Sequence, residues 1–244
     1  MIDIHCHLLP NIDDGPSSWE ESLELARLFS KEGVEIAVTT PHWIKGSGWE
    51  PEPDKVRDMV YELNERLKAE NNPLKVLPGM EVGITENLAE LVDKGRILTL
   101  GGGSHLLVET PFISIPHGIE GLIHRIKEAG VVPIFAHPER CREVQSNPKR
   151  LKDIFDAGGL IQVTSTSFLG YFGNEARQCA TSLAKEGFIH MVASDAHSPK
   201  ERPPIIDKTF SILNSILGQE GARAIKERAF QVIPYTISNS KNSL

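Results

Sequence analysis

Cysteine is scarce in this chain: Cys6, Cys141 and Cys179 are scattered through 244 residues, and no Cys-x-x-Cys occurs. A disulfide framework is therefore excluded. Long apolar runs are missing too, since none reaches the ~20 residues that cross a bilayer. The N-terminus carries neither a basic n-region nor an apolar h-region, because a strand-like run begins at Ile2. We therefore expect a cytoplasmic location without stable membrane insertion. Positive charge is short as well. Lys and Arg total 26 against 33 Asp and Glu, for a net charge of −7. That balance argues against nucleic acid as the partner. Gly101-Gly102-Gly103-Ser104 lacks a following Lys-Ser or Lys-Thr, so it is a turn rather than a phosphate-cradling P-loop.

Hydrophobic residues at 40% and charged residues at 24% describe an ordinary globular protein with a sizeable core. Short apolar runs alternate with longer amphipathic ones. Strands are expected at 2–7, 36–40, 76–81, 106–109, 132–137, 160–164 and 191–194. Helices are expected at 19–31, 53–69, 86–94, 119–129, 148–157, 175–185, 204–217 and 220–230. Gly33, Gly130, Gly158 and Gly187 sit just past four of them, as left-handed C-caps. Such alternation means parallel strands with right-handed crossovers. The fold class is α/β, near the eight-stranded (β/α) barrel, with a doubly wound sheet as the alternative. One domain is expected over residues 1–237, followed by a polar C-terminal tail at 238–244.

His5 and His7 are i, i+2 at the end of the first strand, which places both imidazoles on one face roughly 7 Å apart. Cys6 points the other way and packs. Asp195 and His197 repeat the spacing after the last strand. Between them come Asp14, His42, Glu81, Glu109 and His137, each just beyond a strand-like run. Taken singly, each has a bland reading: Asp13 and Asp14 as a turn or helix N-cap, His42 as a surface loop. Of the aspartate pair we assign the ligand role to Asp14 and the structural role to Asp13. Glu81 and Glu109 end apolar strands, where an unpaired carboxylate is costly to bury and a shared cation would supply the missing charge. Together the nine read as a multinuclear metal site at the C-terminal mouth of the strands. His105, His117, His124 and His190 are left to structural roles.

Imidazoles and carboxylates suit Mn, Zn or Fe(II). A carboxylate shared by two such ions holds them ~3.5–4 Å apart, and water between them ionises near neutral pH, giving a nucleophile beside a cationic surface. Bound cations would also offset much of the acidic excess. Arg140 and Arg202 follow His137 and His197 closely enough to clamp phosphate oxygens, with surface ion pairs as their alternative role. Phosphoester hydrolysis is the natural reaction.

The run Ile2-Asp3-Ile4-His5-Cys6-His7-Leu8-Leu9-Pro10, with Asp13-Asp14-Gly15-Pro16, Pro78-Gly79-Met80-Glu81, His137-Pro138-Glu139-Arg140 and Ser194-Asp195-Ala196-His197, resembles the polymerase and histidinol phosphatase (PHP) superfamily. Within it, the motifs are similar to those of the bacterial capsular-polysaccharide protein-tyrosine phosphatases over residues 1–235. The resemblance implies a distorted (β/α)7 barrel with two or three divalent ions, manganese foremost and iron, zinc or magnesium as alternatives. It implies one ion on His5, His7, Glu81 and Asp195, a second on Glu81, Glu109 and His137, and a third on Asp14, His42 and His197. Arg140 and Arg202 would bind the substrate phosphate. The implied substrate and partner is phosphotyrosine on the tail of a bacterial tyrosine kinase that controls polysaccharide export.

Cysteine-based tyrosine phosphatases need Cys-x5-Arg, and here the residues six on from the cysteines are Ile12, Asn147 and Lys185. A thiolate nucleophile is thus ruled out. A phenol with pKa near 10 is a workable leaving group for a metal-activated water. Histidinol phosphate or a nucleic acid could be cleaved by the same ligand set, and an amidohydrolase also begins with His-x-His but leaves Asp14, His42, Glu81 and His197 unexplained. An inactive scaffold would have no need of all nine ligands. Trp43, the 44–49 loop, Phe168, Tyr171 and Phe172 either form an apolar rim for a tyrosyl ring or pack the top of the barrel.

Overall fold

A computed structural model describes residues 1–234. Strands and helices alternate except at β2–β3, β4–β5 and α5–α6: β1 (Ile2–Cys6), α1 (Trp19–Lys31), β2 (Ile36–Thr39), β3 (His42–Trp43), α2 (Pro53–Ala69), β4 (Lys75–Pro78), β5 (Glu81–Gly83), α3 (Leu88–Asp93), β6 (His105–Glu109), α4 (Ile119–Glu128), β7 (Val132–Ala136), α5 (Arg142–Ser146), α6 (Lys152–Asp156), β8 (Leu160–Thr164), α7 (Gly173–Lys185), β9 (Met191–Ala193) and α8 (Asp207–Arg228). Every ladder is parallel, in the orders β1-β2-β4 and β3-β5-β6-β7-β8-β9. The two sheets are one wall. β2 runs on into β3 and β4 into β5, so the pairing Thr39–Pro78 continues as His42–Glu81. Opposite, β9 meets β1 through a single parallel bridge, Cys6 to Ala196, with Asp195 N–H donating to His5 O and His7 N–H to Ala196 O. The result is a mixed α/β domain whose parallel strands wrap toward a barrel that this edge leaves short of a full ladder.

Strand 76–81 of the sequence reading is in fact two. Pro78 has no N–H to continue the ladder, and a Cβ at Gly79 would lie 2.9 Å from Val38 Cγ1, so the chain kinks where it passes close to β2. His42 belongs to a strand rather than a loop. The expected helix 148–157 divides into a 3₁₀ turn, Pro148–Leu151, and α6. Helices 204–217 and 220–230 merge into one run broken at Gly218, whose φ of 73° and ψ of 169° leave helical space. The expected tail 238–244 and the domain end at 237 lie outside the described residues.

Two apolar layers result. The helices bury Phe29, Leu63, Ile123 and Leu183 against the outer face of the wall. Ile2, Ile4, Val38, Leu77, Leu107, Ile134 and Met191 fill the inside, closed from below by Val232 and Ile233. Simple alternation on β1 would keep Ile2, Ile4 and Cys6 together and turn His5 away from the interior. A bulge between Asp3 and Cys6 breaks that register, leaving Cys6 in the outer layer. Buried Asp3 holds the bulge, accepting the N–H of His5 at 3.1 Å and that of Ser194 at 3.1 Å. Thus Ile4 and His5 both serve the interior, one below the other.

Candidate metal centre

All nine predicted ligands converge on one pit at the strand C-termini. Glu81, fully buried at the start of β5, is its centre. Its Oε2 lies 3.1 Å from His5 Nε2, 3.4 Å from His7 Nε2 and 3.2 Å from His42 Nδ1, and its Oε1 lies 2.8 Å from His137 Nε2. Asp195 Oδ1 is 3.3 Å from His5 Nε2 and 3.5 Å from His197 Nδ1. At the outer edge, Asp14 Oδ1 sits 3.2 Å from His197 Nε2 and 3.4 Å from His42 Nε2. Glu109, at the end of β6, joins His42 and Glu81 as a group of donors within 4.8 Å of one another.

The backbone shows that these positions are imposed. His137 and Asp195 adopt φ of 38° and 52°, a left-handed conformation unusual for residues other than glycine. His137 directly follows the last residue of β7 and Asp195 lies two residues past β9, so in each case a single left-handed residue turns the side chain back over the barrel mouth. Strain of this kind gathers at functional sites.

Two further side chains aim the imidazoles. His5 Nδ1 donates to Gln162 Oε1 at 2.8 Å, and His7 Nδ1 donates to Asp13 Oδ2 at 2.7 Å. Each bond fixes the tautomer and turns the Nε2 lone pair toward the centre. Asp13 also accepts the N–H groups of Gly15 and His42. It is the structural member of the aspartate pair, while Asp14 faces the histidines. Gln162 was not singled out in the sequence; a glutamine in the middle of an otherwise apolar strand was the signal for it.

Charge follows the geometry. Burial opposes ionisation of Glu81, yet His5, His42 and the hydrogen bond with His137 hold its carboxyl well below the usual range. Burial, then the neighbouring Glu81 charge, lifts Glu109 to about 7. Burial and Arg140 depress His137 to about 3, so it stays a neutral lone-pair donor. Burial alone would depress His7, but the Asp13 carboxylate overrides it and raises the imidazole to about 9.

This donor set fits divalent cations. His42 Nδ1 and His197 Nε2 are buried without hydrogen-bond partners although each faces a carboxylate oxygen. A cation between lone pair and carboxylate satisfies both. Four groups of possible donors occur among the described residues: His7-Asp14-His42-His197, His5-His7-Glu81, His5-His137-Asp195 and His42-Glu81-Glu109. The first contains the expected Asp14-His42-His197 trio. Two of the others cut across the allocation that the resemblance implies, grouping Asp195 with His137 and His42 with Glu109.

Both arginines stand at the edge of the pit. Arg140 contacts Asp195 Oδ2 and donates to Thr164 Oγ1 at 3.3 Å; Arg202 Nη2 donates to Asp195 Oδ2 at 2.8 Å. Phe172 lies under both guanidiniums, 4.1 Å and 5.8 Å from ring centroid to Arg140 and Arg202. Trp49 stacks on His42 at 5.3 Å. Trp43 and Phe168, by contrast, are buried in the core, and Tyr171 is exposed. The histidines left aside have other places. His190 Nδ1 accepts the N–H of Ile161, His105 starts β6, and His124 lies in α4.

Comparison with known proteins agrees with this geometry. The chain is 37% identical over 229 residues to the tyrosine-protein phosphatase YwqE of Bacillus subtilis, covering 94% of this chain and 90% of that one. It is 30% identical to the tyrosine-protein phosphatase CpsB of Streptococcus pneumoniae, covering 92% and 94%. A chain from the crystal structures of YwqE and CpsB, described as unique metal-dependent tyrosine phosphatases, superposes with a TM-score of 0.92 at 36% identity, over 96% of this chain and 94% of that one. The profile for capsular polysaccharide synthesis, CpsB/CapC, matches residues 1–233. This chain belongs to the CpsB/CapC family.

Proposed function

We propose that this protein is a metal-dependent tyrosine-protein phosphatase of capsular polysaccharide synthesis. The observation that carries the reading is the buried Glu81 ringed by four imidazoles, with two guanidiniums at the edge of the same pit. The nine side chains His5, His7, Asp14, His42, Glu81, Glu109, His137, Asp195 and His197 would hold two or three divalent ions, manganese foremost. Bound there, the ions supply Lewis acidity and activate water toward phosphorus.

The chain's own residues do the rest. Arg140 and Arg202 take the non-bridging phosphate oxygens and neutralise the charge that builds up as the tyrosyl oxygen leaves. Arg140 is buried enough to draw its pKa down to about 10, and it still carries its proton at neutral pH. Gln162 and Asp13 hold the Nδ1 sides of the His5 and His7 rings, so that each Nε2 faces the centre. The leaving phenolate is a weaker base than an alkoxide, so strong general-acid assistance is not required. The substrate is a phosphotyrosine segment of a bacterial tyrosine kinase. No helix among the described residues is long and apolar enough to cross a membrane, and we place the protein in the cytoplasm.

The test is hydrolysis of a phosphotyrosine peptide beside histidinol phosphate and single-stranded DNA, after chelation and after Mn²⁺ add-back. Phosphate release from the peptide, lost on chelation and restored by Mn²⁺, is the expected result. Turnover of histidinol phosphate or DNA alone would replace the substrate while keeping the metals.

A further inference from the structure

Phe112 presents an open aromatic face beside the phosphate clamp. It is 51% exposed, and its neighbour Ile113 is 72% exposed. One face of the Phe112 ring stacks on His137, with centroids 5.8 Å apart and planes 9° from parallel. The Arg140 guanidinium lies 5.9 Å from the same centroid. About half of the ring's surface stays open to solvent, and with Ile113 beside it forms a small apolar patch at the edge of the pit.

The loop that carries it is not slack. Phe112 O and Ile113 O accept the N–H groups of Arg142 and Glu143 at the start of α5, at 2.9 and 3.1 Å. Glu143 reaches back to accept the N–H of Ile115 at 2.8 Å. Arg150 closes the frame, donating to Glu143 and to the carbonyls of Ile115 and Pro116. Five backbone groups of the loop are thus tied down, and the ring is held where it stands.

We infer that Phe112 is the wall against which the tyrosyl ring of the substrate stacks, so that it selects aryl over alkyl phosphates. This rests on the phosphotyrosine reading above and names the residue that enforces it. With a phosphate clamped by Arg140, the ester oxygen and the ring one bond beyond would lie within reach of Phe112, whose centroid is 5.9 Å from that guanidinium and whose ring is more exposed than that of Phe172. Offset stacking is the favoured arrangement of two such rings. An alkyl phosphate makes no such contact and is bound by the metals and arginines alone. Ile113 extends the apolar surface away from the pit, where the chain bearing the tyrosine would run.

The measurement uses the full chain loaded with Mn²⁺ and compares inhibition constants for phenylphosphonate and methylphosphonate, in parallel with turnover of a phosphotyrosine peptide. Wild type is expected to prefer the phenyl compound, and Phe112→Ala to cut that preference about tenfold. Phe112→Leu keeps the apolar cover on His137 and is expected to lose several-fold of the preference, while metal content by elemental analysis stays at the wild-type level. A preference unchanged in both variants would overturn the inference. So would a loss that appears only on replacing Phe172. A wild-type enzyme that leaves the phosphotyrosine peptide intact overturns the reading of function itself, whereas one that cleaves it with Phe112 immaterial overturns this inference only.

Discussion

The lower and upper halves of the barrel are made by the same strands and obey opposite rules. Below, Ile4, Leu107 and Ile134 meet inside a dry interior, and Val232 and Ile233 close the floor. Above, one to three residues further along the same chains, His5, Glu109 and His137 bring polar and ionisable groups to the mouth. The lower half is held by apolar burial, which is non-directional and tolerates substitution of similar volume. The upper half is held by specific donors, in which each group answers another. Glu81 is ionised because imidazoles surround it, and those imidazoles are aimed by Gln162 and Asp13. Stability and chemistry therefore occupy separate layers of one wall, a division typical of parallel barrels.

The sharpest way to break the comparison is to damage the mouth and watch the floor. Asp195→Asn keeps a residue that accepts the left-handed φ of 52°, which alanine would not. It should lower phosphotyrosine-peptide turnover on the order of 10³-fold or more, with a thermal midpoint close to wild type. Turnover surviving in the metal-loaded variant would remove Asp195 from the site.

The converse change is Ile134→Ala in the floor. A fully buried side chain there should cost about 2–5 kcal/mol in chemical denaturation. Metal stoichiometry of the folded fraction should not change. Loss of metal from folded Ile134→Ala would mean that the two layers are coupled.

Gln162 stands between the layers and gives the smallest expected effect. Gln162→Leu removes the acceptor for His5 Nδ1 and should weaken Mn²⁺ binding about 10–100-fold, read by titration calorimetry. If affinity held, His5 would be positioned by its strand alone.

Much of this was visible before any coordinates. Period-two and helical spacing placed β1, β8, α1 and α2 to within a residue, because each is a regular apolar stripe with clear ends. The kink at Gly79 and the two-residue β3 were not visible, since both depend on how closely neighbouring strands approach. The same holds for the aromatics. Composition could not separate Trp43 and Phe168, which pack, from Phe172, which lies under the two guanidiniums. Phe112 carries no signal in its own segment, because its surroundings come from α5 and from His137 just past β7, both distant from the loop in chain order.

What the amino-acid order determined by itself was the ligand chemistry and its place at strand ends, because residue type and i, i+2 spacing are local properties. Which face those ends present was a tertiary matter. The bulge at β1, held by Asp3 reaching across to Ser194, turns His5 and His7 inward. The aim of the His5 and His7 imidazoles was decided by Gln162 and Asp13, and the meeting of two guanidiniums at Asp195 by Arg140 and Arg202. Hydrogen bonds between strands far apart in sequence have no signature in either strand alone, so only the folded chain could choose them.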